Sequence, residues 1–110
     1  MADAQHISAE DFLAHRSKNK NAVVIDVRDA DKYAEGHLEG AINVHKTKLE
    51  AEIASLVPDK NTEIYCHCGG GQSGPRAAQA LTDLGYTNAH VIDGGWRRLQ
   101  SVICAKNTEE

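Results

Sequence analysis

Four glycines fall within six positions, Gly69-Gly70-Gly71-Gln72-Ser73-Gly74, directly after Cys68. The run before them, Glu63-Ile64-Tyr65-Cys66-His67, reads as a short strand. Pro75-Arg76-Ala77-Ala78 then reopens as a helix, with Pro75 in a first turn where its missing N–H costs nothing. Each glycine loses more backbone entropy on ordering than another residue does, so such a loop is expensive unless something sits in it. The residue types fit a cradle of backbone amides around the sulfur of Cys68. Glycines at 69, 70, 71 and 74 let N–H groups point inward with no side chain closing the hole. A helix N-terminus favours a nearby anion by about 0.3–2 kcal/mol, and converging amides add to that. The chemistry expected is a nucleophilic cysteine that tolerates negative charge. The bland alternative is a buried, inert cysteine beside a tight turn.

The rest of the chain supplies the frame for that loop. Ser8-Ala9-Glu10-Asp11 reads as a helix start, with Ser8 capping and Ile7 stapling onto Phe12. Ala22 to Val27 is a β-branched apolar run suited to a strand buried on both faces. Asp29 to Glu35 reads as a short helix closed by Gly36, and Ala41 to Val44 as a strand. Thr47-Lys48-Leu49-Glu50 reads as a second capping box, with Leu49, Ile53 and Leu56 at helical spacing until Pro58. After the loop, Ala77, Ala78, Leu81 and Leu84 share a helical face that Gly85 terminates. Ala89 to Ile92 is a further strand, Asp93-Gly94-Gly95 a turn, and Trp96, Leu99 and Ile103 mark a last helix. One domain over residues 1–110 is expected, with a core over about 5–103 and a tail over 104–110, polar and frayed from Lys106 to Glu110. Strands alternating with helices argue for an α/β fold with a parallel sheet. Ligands then bind beyond the carboxyl ends of the strands, where Cys68 stands.

A net charge of −4 makes nucleic acid and anionic membranes poor general partners. Met1 to His6 shows no signal pattern and nothing approaches a membrane span. Three cysteines, two of them one residue apart, do not form a secreted disulfide framework, so a cytoplasmic location fits best.

Other chemistries compete for the loop. Gly69-x-Gly71-x-x-Gly74 matches the dinucleotide fingerprint, with Asp93 downstream, although the unit comes late in a short chain and Pro75 stiffens the turn. A Walker-type loop fails because Pro75-Arg76 stand where Lys-Ser/Thr is needed. Zinc on Cys66, His67 and Cys68 lacks a second knuckle and requires adjacent strand residues to converge.

The chain resembles the rhodanese family of sulfurtransferase domains over nearly its whole length. Three segments carry the resemblance in order. The first is Asp26-Val27-Arg28, Tyr33 and Gly36 to Val44. The second is Tyr65 to Ser73 with Ala77 to Leu81, and the third is Leu84-Gly85-Tyr86 with Val91 to Trp96. The resemblance implies a rhodanese-like three-layer domain around a central five-stranded parallel sheet, its first strand near His6-Ile7. It implies that Cys68 takes a sulfane sulfur from thiosulfate, a polysulfide or a persulfide and holds it as a persulfide. The amides of Gly69, Gly70, Gly71, Gln72, Ser73 and Gly74 then cradle it until cyanide or a thiol removes it. No metal or organic cofactor is implied; a protein donor or acceptor is an option.

The same fold is used by phosphatases and arsenate reductases, whose longer loop carries an arginine. His67-Cys68 and Gly74-Pro75-Arg76 look phosphatase-like, but the loop here is shorter and lacks that arginine. Phosphoryl transfer needs cations on the equatorial oxygens, so the short neutral loop favours sulfur. A rhodanese-like module that only binds a partner is a third reading, which the retained Cys68 argues against. Many thiosulfate-using members carry arginine where this chain has Gly69; Arg76 and Arg28 are the candidates to compensate. Arg28 reads either as a substrate contact or as a local partner for an acid, and Asp26 as structural. Cys66 lies on the same strand face as Cys68 and reads as a core residue or an accessory thiol. His67 falls on the opposite face and reads as core or surface, not as a general base.

Overall fold

A computed structural model of the chain describes residues 5–19, 21–69 and 74–108. Five strands, β1 (Gln5–Ile7), β2 (Val23–Asp26), β3 (Ile42–Asn43), β4 (Ile64–His67) and β5 (Ala89–Ile92), form one sheet in the order β1-β5-β4-β2-β3. Every pairing is parallel. The helices are α1 (Ala9–Lys18), α2 (Ala30–Glu35), α3 (Leu49–Leu56), α4 (Gly74–Asp83) and α5 (Gly95–Thr108). This is the five-stranded α/β architecture expected from the sequence, short first strand included.

Alternation along the strands sorts side chains into two cores. Ile25, Val27, Ile64, Cys66 and Cys68 pack with Leu49 and Ile53 of α3 and with Ala77 and Leu81 of α4. Val24 and Tyr65 pack on the other side with Phe12 of α1 and with Leu99 and Val102 of α5. The chain runs outward from β2 to β3, then returns to the far side of β2 for β4 and continues outward to β5. The order therefore reverses between β2 and β4. In an open parallel sheet such a reversal point is the usual ligand position. Arg28 follows β2 and Cys68 follows β4.

Local chemistry explains most element ends. Ser8 Oγ accepts from Asp11 N at 3.1 Å, the expected cap of α1. Gly85 closes α4 at φ +99°, with its N–H donating to Thr82 O and the Tyr86 N–H to Leu81 O, a Schellman pair. Three expectations need correction. Thr47 does not cap α3: Lys48 is the N-cap and makes no side-chain capping bond. The Thr47 hydroxyl is taken by His45 Nδ1 at 2.7 Å, while His45 Nε2 bonds Asp29 at 2.7 Å. Leu84 is 38% exposed rather than packed, because α4 ends at Asp83 and the chain has begun to turn. The tail expected from residue 104 is helical to Thr108, continuing α5. Among the described residues, no helix is long and apolar enough to cross a membrane.

Candidate active site

Strand β4 carries Cys66 and Cys68 toward the α3/α4 core and His67 toward the α1/α5 side. Cys66 is fully buried, and loss of hydration pushes its thiol up to about 12, so it stays protonated. Cys68 is 6% exposed at the end of the strand. Opposite projection separates His67 from both thiols, which disposes of the three-residue zinc arrangement.

The backbone around Cys68 is held by α5. The Trp96 N–H donates to the Cys68 carbonyl at 2.7 Å, and the Arg97 N–H donates to the Gly69 carbonyl at 3.0 Å. These first-turn donors need partners because no helical carbonyl reaches them. In a planar trans peptide the N–H points opposite to the C=O. Drawing the Cys68 carbonyl toward α5 thus turns the Gly69 N–H toward the α3/α4 side, where the Cys68 side chain packs. A second donor reaches the same carbonyl: His67 Nδ1 lies 3.2 Å from Cys68 O.

Arg28 is tied to Asp26. Its Nε lies 3.0 Å from both carboxylate oxygens, and Nη2 reaches Oδ2 at 2.7 Å and the Gly36 carbonyl at 2.7 Å. Asp26 is fully buried and also accepts the Arg28 backbone N–H at 3.0 Å. The guanidinium lies 5.6 Å from the centre of the Trp96 ring. A Cβ added at Gly69 would stand 3.7 Å from Arg28 Cδ, so the arginine stem lies beside Gly69 while its charge is neutralised by Asp26. The local pairing that the sequence left open is therefore what the geometry shows for the head group.

Gly74 has a packing demand of its own. A Cβ there would come within 2.7 Å of Val91 Cγ2 and 3.8 Å of the Cys68 N. The glycine lets the start of α4 press against β5 beside the cysteine. Arg76 is exposed and lines a groove with Glu50 of α3 and Asp83 of α4. Gly70, Gly71, Gln72 and Ser73 lie outside the described residues. The backbone donors of α5 leave no mark on residue identity; the sequence marks the half-buried Trp96 only as part of a last helix.

His67 is fully buried, and its Nε2 has no hydrogen-bond partner among the described residues. Burial pushes the imidazole below its usual range; Asp26 and the bond to Cys68 O oppose this, and Arg28 adds to it. The ring is neutral, and facing a carbonyl it carries its proton on Nδ1.

The match to a family model decides where this chain sits. Residues 8–101 match the rhodanese-like domain. The chain belongs to the rhodanese family. The thiosulfate sulfurtransferase GlpE of Pseudomonas entomophila (strain L48) is 36% identical over 100 residues, covering 88% of each protein. The thiosulfate sulfurtransferase PspE of Escherichia coli (strain K12) is 38% identical over 71 residues, which cover 64% of this chain and 66% of that protein. The solved human single-domain sulfurtransferase TSTD1 superposes with a TM-score of 0.77 at 27% identity, covering 89% of this rhodanese and 96% of that chain. These relatives bear out the expectation of a sulfurtransferase on this rhodanese fold.

Proposed function

We propose that this rhodanese moves sulfane sulfur through a persulfide on Cys68. The Cys68 thiolate attacks the outer sulfur of a donor; with thiosulfate, the S–S bond breaks and sulfite leaves with the electron pair. The terminal sulfur of Cys68–S–S⁻ is then attacked by cyanide or a thiol, giving thiocyanate or a new persulfide and returning the thiolate. This is covalent catalysis in two half-reactions, and it requires no cofactor. The observation that carries the reading is the position of Cys68 at the sheet's reversal point, its carbonyl held by the Trp96 N–H; a planar peptide then turns the Gly69 N–H to the thiol's side, the first donor of the proposed cradle. In the proposal Gly70, Gly71, Gln72, Ser73 and Gly74 extend that row of donors.

The disposition of charge supports sulfur over oxyanion chemistry. A phosphoryl or arsenate group needs cations on its oxygens, and the Arg28 charge is already matched by Asp26. Arg28 then serves as a wall of the site, and Arg76 as a rim charge for the approaching anion. Thiosulfate, polysulfide and small persulfides are the proposed donors, and cytoplasm the proposed setting. Cys66 takes no sulfur in this scheme, since its thiol is buried and protonated.

Intact-mass measurement after incubation with each donor tests the proposal. One sulfur atom should be gained, lost again on adding cyanide, and never gained by Cys68→Ser. A wild-type mass unmoved by thiosulfate, polysulfide and cysteine persulfide would overturn it.

A further inference from the structure

We propose that His67 is a positioning residue for the sulfur-carrying cysteine, acting through the Cys68 carbonyl. The inference rests on Cys68 being the reacting thiol. A histidine on this strand face is an uneconomical core residue. Tyr65, two residues back on the same face, and its partner Val24 belong to an apolar cluster; the residue opposite is Asp26, whose oxygens Arg28 takes, and Nε2 goes without a partner among the described residues. A buried acceptor left unmatched destabilises the folded state, and phenylalanine or leucine at this point would avoid that. The other nitrogen is what the imidazole contributes.

Nδ1–H donates to the Cys68 carbonyl at 3.2 Å, and the Trp96 N–H donates to the same oxygen at 2.7 Å. One donor comes from β4 itself and the other from the first turn of α5. Together they fix the 68–69 peptide plane, and the plane fixes the Gly69 N–H on the side of the sulfur. Without Nδ1–H the carbonyl keeps, among the described residues, only the Trp96 tether and can swing, carrying the Gly69 donor off the anion. The surroundings keep the ring in the required form. Asp26 is the carboxylate beside it, but its oxygens are engaged by Arg28, and burial opposes the imidazolium. His67 thus stays a neutral single-proton donor and neither gives nor takes a proton in the transfer.

Substitutions that keep or lose an N–H at the Nδ1 position separate this role from simple space filling. Asparagine places its amide near Nδ1, whereas glutamine places it near Nε2. In a Cys104→Ser background, iodoacetamide alkylation of Cys68 is followed across pH by peptide mass spectrometry, with thermal melts as the check on folding. His67→Phe and His67→Gln should shift the alkylation profile to higher pH and slow alkylation at neutral pH about tenfold, the effect of one lost hydrogen bond to this segment. His67→Asn should stay within about threefold of wild type. A folded His67→Gln with the wild-type profile would overturn the inference, as would His67→Asn being as slow as His67→Gln. If His67→Phe does not fold, the Asn/Gln pair decides. Alkylation needs no sulfur donor, so a wild-type protein that gains no sulfur counts against the proposed function and leaves this test intact.

Discussion

The two ends of β4 hold similar chemistry and treat it oppositely. At the amino end, the Glu63 carboxylate accepts from the Tyr65 hydroxyl and from Asn19 Nδ2 at 2.6 Å, and pairs with His15 Nε2 at 3.1 Å. Tyr65 in turn packs edge-on against Phe12, with ring centres 4.9 Å apart, and stacks on His90 at 5.1 Å. Four residues downstream of Glu63, at the carboxyl end, His67 leaves a ring nitrogen unmatched among the described residues and Cys68 directly precedes the glycine-rich segment. An ionisable group whose valencies are filled by neighbours is structure. A buried imidazole with one nitrogen unmatched among the described residues is held there for what its other nitrogen does. The Asp26–Arg28 pair shows that a group can lie at the functional end and still belong to the first kind.

The largest expected effect tests that assignment of Asp26 and Arg28. Asp26→Ala leaves the Arg28 guanidinium, only 11% exposed, without its carboxylate. Breaking a buried pair from one side costs about 3–5 kcal/mol, to be read from urea unfolding; replacing both residues, Asp26→Ala with Arg28→Met, should recover part of it. A loss under about 1 kcal/mol, the scale of an exposed pair, would move Arg28 from the frame to the substrate side.

Glu63→Gln probes the opposite end and should cost less, about 1–3 kcal/mol for the bonds it weakens, with sulfur uptake unchanged. Burial works to raise the Glu63 pKa, but bonds from Tyr65 and Asn19 and the charges of His15 and His90 hold it below the ordinary value of 4.5. A depressed native pKa means the carboxylate stabilises the fold above that ordinary value, and the contribution fades as pH falls through the native one. The stability gap between wild type and Glu63→Gln should therefore narrow on acidification below about pH 4.5. A gap that widens there, or a loss of sulfur uptake at neutral pH, would erase the contrast between the two ends.

Much of this frame was legible in the sequence. β-branched runs bounded by Gly, Pro and Asn located the strands, because strand burial on both faces leaves few other residue types possible. Cys68 stands out as the candidate nucleophile for a related reason, since so many glycines in a row point to a demand on the backbone. What stayed hidden depended on contacts between distant segments. Thr47 has the residue type of a cap, yet His45 takes its hydroxyl. Arg28 could be paired or free until Asp26 and Gly36 were seen around it. The α5 donors to the Cys68 and Gly69 carbonyls are backbone groups, which any sequence could have supplied. His67 was placed on the correct strand face by period alone, but period says nothing of which nitrogen finds a partner.

Cys66 lies between the two ends and shows where the functional region begins. It shares a face with Cys68 and is separated from it by a single residue, so reactivity set by the strand or its face would appear at both thiols. Burial instead leaves Cys66 with its pKa at about 12 and no access to a donor. Cys66→Ala should cost about 1–2 kcal/mol, the removal of one buried group and the small cavity left behind. The variant should still gain one sulfur on Cys68 and release it to cyanide at the wild-type rate, because no step passes through residue 66. Persulfide that persists longer in Cys66→Ala than in wild type when a thiol acceptor is withheld would show instead that Cys66 draws sulfur off Cys68. The boundary would then fall one strand pair nearer the core, with β4 itself part of the relay rather than its support.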